Sequence, residues 1–383
     1  MQNERESYCK GTYPLHLNSF QQETIQFLKQ LFSPYSSRVY IVGGYVRDGI
    51  LNLDSSNDID IEVYDISQEL FDKLMDKIGA NGVGKSFFVY KYNDIDISLP
   101  RTETKVSYGH KGFDVQICND EIVASRRRDF TMNALMINIY SLKLYDFYNG
   151  LEHINKKIIS IIDEKSFKED SLRVLRAMRF ASKFGFKIEN RSKNIICNIS
   201  LDDLSKQRIS QEFIKMFNTK YLHYGFYYLF SLNIAKQIFD IVIDKKTFIC
   251  IYRFYKYRAR YFNVNIYQYY FLYILYNFID IDIQKLDLSN KFIRFLKSQP
   301  KIDFDIDVEK LLIISLDMPI KNWLGALDEN IILMAKKYDV YNKPLLTDVT
   351  SQSVLNDGFK KDDISKEIIK RKIKYIRDKI LAI

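Results

Sequence analysis

Residues 37–64 read SRVYIVGGYVRDGILNLDSSNDIDIEVY and contain two apolar runs separated by a pair of glycines and a helical segment. The pattern predicts a strand, a turn, a helix and a second strand, over residues 39–42, 43–44, 45–51 and 59–64. Adjacent glycines let backbone N–H groups approach a phosphate without interference from a Cβ atom. A helix that begins at such a turn also directs its positive end at the anion. The segment therefore predicts a phosphate-binding turn next to a sheet.

Three charged side chains extend this interpretation. Arg47 adds a positive charge one turn into the predicted helix. Asp58 and Asp60 share one face of the second strand, because strand side chains alternate with a period of two, and together they can chelate a divalent metal. Each feature also has an ordinary structural explanation, since Gly-Gly pairs are common in turns and Asp-x-Asp often marks a solvated strand end. The rest of the chain is needed to distinguish a phosphate and metal site from an ordinary turn and strand end.

Composition narrows the class of protein. The chain has 383 residues, 47% of them hydrophobic, and a formal net charge of +9. A chain of this length can bury substantial cores and is expected to form about two to four domains. The basic excess favours a polyanionic partner, although it is also compatible with solubility alone. The many Phe and Tyr residues and few prolines favour a helix-rich body with aromatic packing.

The cysteines and the N-terminal sequence indicate the cellular compartment in which the protein is expected. No two of the four cysteines form a C-x-x-C pair, so we expect reduced thiols rather than a zinc site or a disulfide framework, at Cys9, Cys118, Cys197 and Cys250. The N-terminal sequence MQNERESYCK is polar, and no apolar run has transmembrane length. We therefore expect a cytoplasmic protein without a membrane segment.

Helices are predicted over residues 19–33 and 67–78 by their apolar spacing. The string GANGVGKS at residues 79–86 then matches the P-loop pattern letter for letter. A P-loop needs a strand before the glycines and a helix after them, whereas here a helix precedes and a strand is predicted to follow. We interpret the string as a helix-to-strand turn.

The following segment, residues 87–99, is predicted to be one strand that carries Asp94 and Asp96. If this strand pairs beside the strand of Asp58 and Asp60, Asp96 becomes a third carboxylate of the metal site; the alternative is a solvated strand face. Residues 102–114, TETKVSYGHKGFD, are polar and contain glycines, as expected of a mobile active-site loop.

Residues 169–186, EDSLRVLRAMRFASKFGF, predict a sharply two-sided helix. One face is apolar and comprises Val174, Leu175, Met178 and Ala181. The other is cationic, without interleaved acids, and comprises Arg173, Arg176, Arg179 and Lys183. Such a stripe indicates a phosphate-binding surface.

Four motifs in chain order resemble those of class II tRNA nucleotidyltransferases, the CCA-adding enzymes of the polymerase-β superfamily. They are GGYVRD at 43–48, DID at 58–60, RRDFTMNAL at 127–135 and EDSLRVLRAMRFASKFGF at 169–186. The resemblance covers residues 37 to 215, and residues 342–359 resemble the family's tail segment. Two positions depart from the family pattern, with Ser171 in place of proline and Gln207 in place of glutamate.

The resemblance implies an α+β fold with a small mixed-sheet nucleotidyltransferase palm, or head, followed by an all-helical neck, body and tail. The corresponding boundaries are 1–155 for the head, 156–225 for a neck that recognises the nucleotide base, 226–320 for the body and 321–383 for a tRNA-binding tail. Within the helical part, the aromatics of residues 251–278 favour core packing over base stacking. The last helix is predicted to dock through Ile369, Ile373, Ile376 and Ile380, and to face RNA with Lys366, Lys370, Lys374 and Arg377.

The resemblance also implies roles for individual residues. Catalysis falls to Asp58, Asp60 and Asp96, with two Mg²⁺ ions held by Asp58 and Asp60. The triphosphate is expected at Gly43, Gly44 and Arg47, braced by Asp48, and the sugar and phosphates at Arg128, Asp129 and Asn133. Base recognition is expected from Glu169, Asp170 and Arg173, and support of the neck from Arg176, Arg179 and Arg208.

The implied activity is template-independent addition of CCA to the 3′ end of tRNA from CTP and ATP, with release of pyrophosphate. Addition of only the final A, or only of CC, stays open. CC-adding relatives shorten the flexible loop, whereas residues 102–125 are nearly full length here. Bacterial poly(A) polymerase is less compatible, because its paired basic residues and histidine are missing around residues 83–91. A catalytically inactive RNA-binding relative would not need the retained carboxylates.

Overall fold

The computed structural model describes residues 5–53, 58–84, 88–105, 113–257, 266–326 and 328–382. These residues form two compact units. The first comprises the chain up to Ser205 together with Ser231–Asn233, and the second comprises Lys206–Phe230 and the chain from Ile234 onward. The first unit contains a mixed sheet and the described part of the second contains helices, which confirms the α+β class. The four-part division of the sequence stays a prediction.

The strands all lie in the first unit within the described chain. They are β1 (Cys9–Thr12), β2 (Val39–Val42), β3 (Ile59–Val63), β4 (Asn81–Gly84), β5 (Val89–Tyr92), β6 (Ile95–Ser98), β7 (Arg101–Lys105), β8 (Phe113–Ile117), β9 (Met136–Asn138), β10 (Lys143–Tyr145), β11 (Ile158–Ile159) and β12 (Lys187–Ile188). The helices up to Ser205 are α1 (Ser19–Phe32), α2 (Gly44–Ile50), α3 (Gln68–Lys77), α4 (Glu121–Ser125), α5 (Gly150–Asn155), α6 (Glu164–Lys168), α7 (Leu172–Phe184) and α8 (Asn190–Cys197).

The later helices are α9 (Lys206–Phe217), α10 (Leu222–Ser231), α11 (Ile234–Phe239), α12 (Lys245–Tyr257), α13 (Tyr267–Phe278), α14 (Asn290–Lys297), α15 (Val308–Ser315), α16 (Glu329–Lys337), α17 (Ser351–Asn356) and α18 (Lys361–Leu381). Short 3₁₀ turns lie at Thr131–Asn133, Ile283–Lys285 and Ile320–Asn322.

Eight strands form the main sheet in the order β1-β10-β9-β2-β3-β6-β5-β4. All neighbours are antiparallel except β3 and β6, which run parallel with Asp60 opposite Asp96. Strand β2 is buried along its whole length because it lies inside the sheet, which explains its uninterrupted apolar sequence. The predicted strand, turn, helix and strand of residues 37–64 are confirmed as β2, Gly43, α2 and β3.

The predicted single strand over residues 87–99 is wrong. This segment is a hairpin of β5 and β6 whose turn is formed by Asn93 and Asp94, with φ values of 46° and 62°. Two consecutive residues with positive φ suit the two-residue turn that joins right-twisted strands, and Asn and Asp tolerate that conformation well. Asp94 therefore lies at the turn rather than along a strand.

The P-loop look-alike and the polar loop are also more ordered than expected. Helix α3 ends before Gly79, as predicted, but Asn81–Gly84 is itself a strand, β4, paired antiparallel with β5. Residues 85–87 lie outside the described residues. The predicted loop over residues 102–114 begins and ends in strands, because β7 and β8 form an antiparallel hairpin. Its tip, residues 106–112, also lies outside the described residues.

Helix α7 realises the predicted two-sided pattern. The four residues of its apolar face are fully buried, namely Val174, Leu175, Met178 and Ala181. The helix ends at Gly185, whose φ of 69° lies in the left-handed region that glycine adopts without steric cost. No acid is interleaved along this face of the helix, but carboxylates from the sheet domain pair with Arg176 and Lys183.

Aromatic side chains build much of the core of the second unit, which confirms the packing interpretation of residues 251–278 in their described part. The rings of Phe217 and Phe271 stack with centroids 5.7 Å apart. Tyr255 is buried and donates its hydroxyl hydrogen bond to the backbone oxygen of Phe271 at 2.7 Å. Buried tyrosines of this kind contribute apolar area while their hydroxyl groups stay paired.

The predicted apolar stripe of α18 is partly wrong. Ile376 is fully buried, but Ile369 is 59% exposed. The N-terminal half of the helix contacts its neighbours through Arg371, which forms an ion pair with Asp357 and lies 5.5 Å from the ring centre of Phe359. The guanidinium group of Arg371 thus adds a charged contact to the docking of this helix.

Two remaining expectations concern thiols and membranes. All four cysteines are free, as predicted, and all are partly exposed. Among the helices of the described chain, none combines the length and apolar character needed to cross a bilayer.

Candidate active site

The glycine turn brings the sheet close to an arginine of a later segment. Gly43 has a φ of 76° and follows the buried strand β2. A Cβ atom on Gly43 would lie 3.0 Å from Arg128 Nη1 and 3.3 Å from Asp60 Oδ2. Glycine is therefore required here both by its backbone conformation and by the close approach of two site residues.

The carboxylates predicted to bind metal lie at this turn. Asp58 directly precedes β3, and Asp60 lies on it with an exposed side chain. Protein packed around the exposed Asp60 carboxyl still removes part of its hydration and raises its pKa, an effect that the nearby Arg128 opposes and Asp96 reinforces. The expected pairing of the two strands is observed, but no group of three or more His, Cys, Asp or Glu side chains in the described chain is arranged to hold a metal. The role of Asp96 stays a prediction.

A buried carboxylate that sequence analysis missed organises the arginines. Glu62 is 1% exposed and accepts hydrogen bonds from Arg127 Nη2 at 2.8 Å, Arg128 Nη2 at 2.9 Å and the Tyr64 hydroxyl at 3.0 Å. The two guanidinium groups outweigh burial and lower the pKa of Glu62. Its sequence signal was its position two residues after Asp60, which places it on the same strand face.

Asp129 connects its own segment, residues 129–133, to α7. Its Oδ1 accepts from the Asn133 amide at 2.7 Å and from the backbone N–H of Phe130 at 2.9 Å, and its Oδ2 accepts from Arg176 Nε at 2.7 Å. Burial by itself would raise the pKa of Asp129, but Arg176 and the Asn133 hydrogen bond outweigh burial and lower the pKa to about 2. Asp129 thus fixes Asn133 and Arg176 rather than standing free to contact a ligand.

The lowered pKa of Asp129 predicts that the free energy of unfolding depends on pH. Because its pKa falls from 3.8 to about 2 on folding, ionised Asp129 stabilises the folded state above about pH 4, and this contribution is lost as the pH falls towards 2. Asp129→Asn is expected to lower the free energy of unfolding by about 2 kcal/mol at pH 7, and by much less at pH 2.5. Urea unfolding of both proteins across this range measures the gap, with Asp94→Asn at the exposed turn as control. A gap independent of pH would contradict the assignment.

Arg47 and Asp48 are more buried than a simple phosphate-binding role would require. The Arg47 guanidinium lies near the rings of both Phe180 and Phe184, 5.0 and 4.9 Å from their centres, and its Nε donates to Asp48 Oδ1 at 2.7 Å. Asp48 also pairs with Lys183 at 3.0 Å. These two cations hold Asp48 in place, and its bracing role stays a prediction. Arg47 is 5% exposed and lines the site.

The residues predicted to recognise the base lie at the start of α7. Arg173 donates to the backbone oxygens of Ser166 at 2.8 Å and Arg127 at 2.5 Å, which fixes the plane of its guanidinium. Asp170 and Arg173 line the same cavity as the glycine turn. Glu169 caps the end of α6 and is not among the residues that line this cavity in the described chain.

The residues predicted to support the neck do not all belong to the same compact unit. Arg176 pairs with Asp129, and Arg179 lies 4.2 Å from the ring centre of Phe180, a residue that sequence analysis did not single out. Both arginines line the cavity. Arg208 lies on α9 in the second compact unit.

Many of the residues described above line one cavity of about 500 Å³ in the first unit. Its lining comprises Gly43, Gly44, Arg47, Asp58, Asp60, Arg127, Arg128, Asp129, Asn133, Asp170, Leu172, Arg173, Arg176, Arg179 and Phe180. Carboxylates and a glycine turn lie at one part of this lining, and arginines dominate the rest. A larger cavity of about 690 Å³ in the second unit is lined by apolar and basic residues of α12 and by Phe304, without a carboxylate.

This sheet, with its glycine turn and carboxylate strand, has the fold of a nucleotidyltransferase head. Residues 39–160 match the family model described as the Poly A polymerase head domain, and residues 185–245 match one described as a probable RNA and SrmB-binding site of polymerase A. These two matches confirm the predicted resemblance to poly(A) polymerases and tRNA nucleotidyltransferases over the matched residues.

Relatives and solved structures support this assignment. The CCA-adding enzyme of Buchnera aphidicola subsp. Cinara cedri is 36% identical over 224 residues, 55% of this chain and 53% of the relative. The multifunctional CCA protein of Psychromonas ingrahamii is 36% identical over 186 residues, 46% of this chain and 44% of the relative. The chain thus spans about half the length of the curated relatives it matches.

The fold extends further along the chain than the sequence similarity. The Bacillus stearothermophilus CCA-adding enzyme in complex with CTP has a TM-score of 0.64 at 19% identity, and the match covers 94% of both chains. The Thermotoga maritima CCA-adding enzyme complexed with tRNA-CCA has a TM-score of 0.63 at 19% identity, and covers 94% of this chain and 92% of that one. The helical second unit therefore shares its fold with these enzymes.

Proposed function

We propose that this protein adds CCA to the 3′ end of tRNA from CTP and ATP, without a nucleic-acid template and with release of pyrophosphate. The observation that carries the proposal is the single cavity in which a carboxylate pair, a glycine turn, buried arginines and the start of α7 meet. A catalytic centre and a base-selecting surface are both needed for such an activity, and this cavity provides candidates for both. The CTP, ATP and tRNA complexes of structurally similar enzymes support the same choice of substrates.

The donor set at the carboxylate strand fits magnesium. Asp58 and Asp60 provide hard oxygen ligands, and Mg²⁺ is commonly held by one or two carboxylates together with substrate phosphates. A site with fewer than three protein ligands is therefore compatible with this metal when the triphosphate completes its coordination. When bound, two such ions would lower the pKa of the RNA 3′-hydroxyl and neutralise charge on the triphosphate.

The chain's own residues would position the triphosphate. Gly43 and Gly44 leave space for it next to the carboxylates, and Arg128, Arg176 and Arg179 provide positive charge around it. Arg128 and Arg176 are each held by a buried carboxylate, so they keep their orientation before the substrate arrives. Preorganised charges of this kind stabilise a transition state without reorganisation during the reaction.

Base selection is assigned to Asp170 and Arg173. Cytosine and adenine both present an exocyclic amine beside a ring nitrogen, so a carboxylate that accepts and a guanidinium that donates complement either base. Guanine and uracil present a carbonyl in place of the amine. The two backbone hydrogen bonds of Arg173 hold its guanidinium in one plane, as this form of recognition requires.

The proposal is tested with tRNA transcripts that end before CCA, after C and after CC, each incubated with CTP, ATP or both. Full CCA addition predicts that all three transcripts reach the same final length when both nucleotides are present. Extension of only the CC-ending transcript, with ATP, would establish an A-adding enzyme, and products ending in CC would establish a CC-adding one. Long adenosine tails on unstructured RNA would indicate a poly(A) polymerase. No extension of any transcript would overturn the proposed function.

Gly43→Ala is expected to lower kcat/KM for CTP about 100-fold, because its Cβ would displace Arg128 and Asp60 by tenths of an ångström or more. Gly79→Ala is a matched control. Its φ of 71° is also positive, but no atom lies within 4 Å of the added Cβ. Gly79→Ala is expected to lose about 1 kcal/mol of unfolding free energy, and Gly43→Ala more, because the ψ of −133° at Gly43 lies outside the left-handed helical region. Equal activity of the two variants would show that the close approach at Gly43 is unimportant.

A further inference from the structure

Strand β3 carries a carboxylate that cannot bind substrate or metal in the arrangement observed. Glu62 follows Asp60 by two residues on the same strand face, yet it is 1% exposed whereas Asp60 opens to the cavity. Arg127 and Arg128 both donate to its Oε1, and Tyr64 donates to its Oε2. Both oxygens of Glu62 are therefore occupied by protein donors.

Arg128 has two carboxylates within reach of its position. One of its terminal nitrogens bonds to Glu62 at 2.9 Å, and the other lies beside Gly43, next to Asp60 Oδ2. Within the described chain, Arg128 forms an ion pair with Glu62 and not with Asp60. A buried guanidinium needs an anionic partner, because leaving such a charge unpaired in the protein interior is strongly unfavourable. Without Glu62, Asp60 would be a carboxylate available to it, because Asp60 and Arg128 approach the same side of Gly43.

We propose that Glu62 is a positioning residue that holds Arg128 away from Asp60, so that the Asp60 carboxylate stays available to a divalent metal. The proposal rests on the proposed function, since it takes Asp60 as a metal ligand. A cation bonded to Asp60 would compete directly with the metal for the same oxygens. Glu62 thus lets a single site contain both an arginine for phosphate and a carboxylate for metal without mutual neutralisation.

The molecule provides a matched control for this idea. Glu121 is another buried carboxylate of the first unit, and it accepts from Arg38 Nε at 2.9 Å, Arg5 Nη1 at 3.2 Å and the Tyr40 hydroxyl at 2.9 Å. Its partners thus repeat the two arginines and one tyrosine of Glu62. Glu121 is not among the residues that line the candidate active-site cavity in the described chain. Loss of charge at Glu121 should therefore reproduce the structural consequences of losing Glu62 without its effect on metal binding.

The test is a titration of the full-length protein with Mn²⁺, followed by electron paramagnetic resonance, in the absence of nucleotide. Asp60→Ala identifies the binding that belongs to this site. Glu62→Gln is expected to weaken that binding about tenfold, since Arg128 then pairs with Asp60, whereas Glu121→Gln is expected to leave it unchanged. Mn²⁺ binding by Glu62→Gln that equals the wild type would overturn the proposal.

A double variant separates positioning from the simple loss of a negative charge. Glu62→Gln combined with Arg128→Gln removes the competing cation, so Mn²⁺ affinity is expected to return to within about twofold of Arg128→Gln alone. A double variant that binds Mn²⁺ clearly more weakly than Arg128→Gln would show a general electrostatic effect and overturn the proposal. This comparison also serves if Glu62→Gln alone does not fold.

The proposed metal site and the proposed role of Glu62 can be contradicted separately. Absence of Asp60-dependent Mn²⁺ binding in the wild-type protein would overturn the proposed metal site and the role of Glu62 together. Normal Mn²⁺ binding that does not respond to Glu62→Gln would overturn only the role of Glu62. The nucleotides that are added to tRNA do not enter this measurement, so the outcome is independent of whether the product ends in CC or CCA.

Discussion

Asp60→Ala is expected to lower the rate of nucleotide addition by at least about 1000-fold while leaving tRNA affinity within about twofold of wild type. The same result is expected for Asp58→Ala. Both side chains line the cavity at the glycine turn, where a metal would meet the triphosphate, and neither contributes the positive charge that holds RNA. The rate is measured by single-turnover extension of a CC-ending tRNA transcript with ATP, and affinity by a filter-binding assay.

A surface carboxylate of the same sheet serves as control for this prediction. Asp94 lies at the turn between β5 and β6, and its side chain is 79% exposed. Asp94→Ala is expected to retain full activity. A rate for Asp58→Ala or Asp60→Ala that approaches the wild-type value would exclude the carboxylate pair as the catalytic metal site.

Asp170→Ala is expected to increase incorporation of UMP and GMP relative to CMP and AMP by at least about tenfold. Removing the acceptor for the exocyclic amine eliminates the advantage of cytosine and adenine, whereas the carboxylate pair and its metal are unaffected. The measurement is the ratio of kcat/KM values for the four nucleoside triphosphates on the same transcript. Arg173→Ala is expected to change selectivity in the same direction, with a larger loss of rate, because it also releases the Ser166 and Arg127 carbonyls.

The adjacent residue Glu169 tests which of two neighbouring carboxylates selects the base. Asp170 lines the cavity, and Glu169 is not among its lining residues in the described chain. Glu169→Ala is therefore expected to change selectivity less than Asp170→Ala does. If Glu169→Ala gives the larger change, the base-selecting pair has been assigned to the wrong carboxylate. Equal loss of activity with all four nucleotides, without misincorporation, would contradict a base-selecting role for Asp170.

Local sequence patterns predicted the elements that hold the site. Strand β2 and the buried face of α7 follow from uninterrupted or helically spaced apolar residues, and the glycine turn follows from two adjacent glycines. Asp58 and Asp60 were recognisable because they lie two residues apart at the start of a predicted strand, in which side chains alternate between the two faces. These features depend on residues that are close in sequence, so a pattern of a few residues is sufficient to detect them.

The partners of the charged residues were not predictable in the same way. Asp129 with Arg176 and Asp48 with Lys183 are separated by 47 and 135 residues, and only the tertiary fold brings them together. The sequence therefore showed a cationic helix face without showing that carboxylates of the sheet domain pair with Arg176 and Lys183. Glu62 was missed for a related reason, because burial distinguishes it from Asp60 although both lie on one strand face.

The ion pairs between α7 and the sheet domain affect how this protein could be recombined with its relatives. Asp48 and Asp129 each bind a cation of α7, and Arg47 contacts two of its phenylalanine rings. A chimera that received α7 from an enzyme with another nucleotide preference would inherit only half of each contact. We expect such a graft to succeed when residues 47, 48 and 129 of the recipient match the donor helix, and to misfold when they do not. Nucleotide preference in this scaffold would then be exchanged as a set of residues from two segments rather than as one helix.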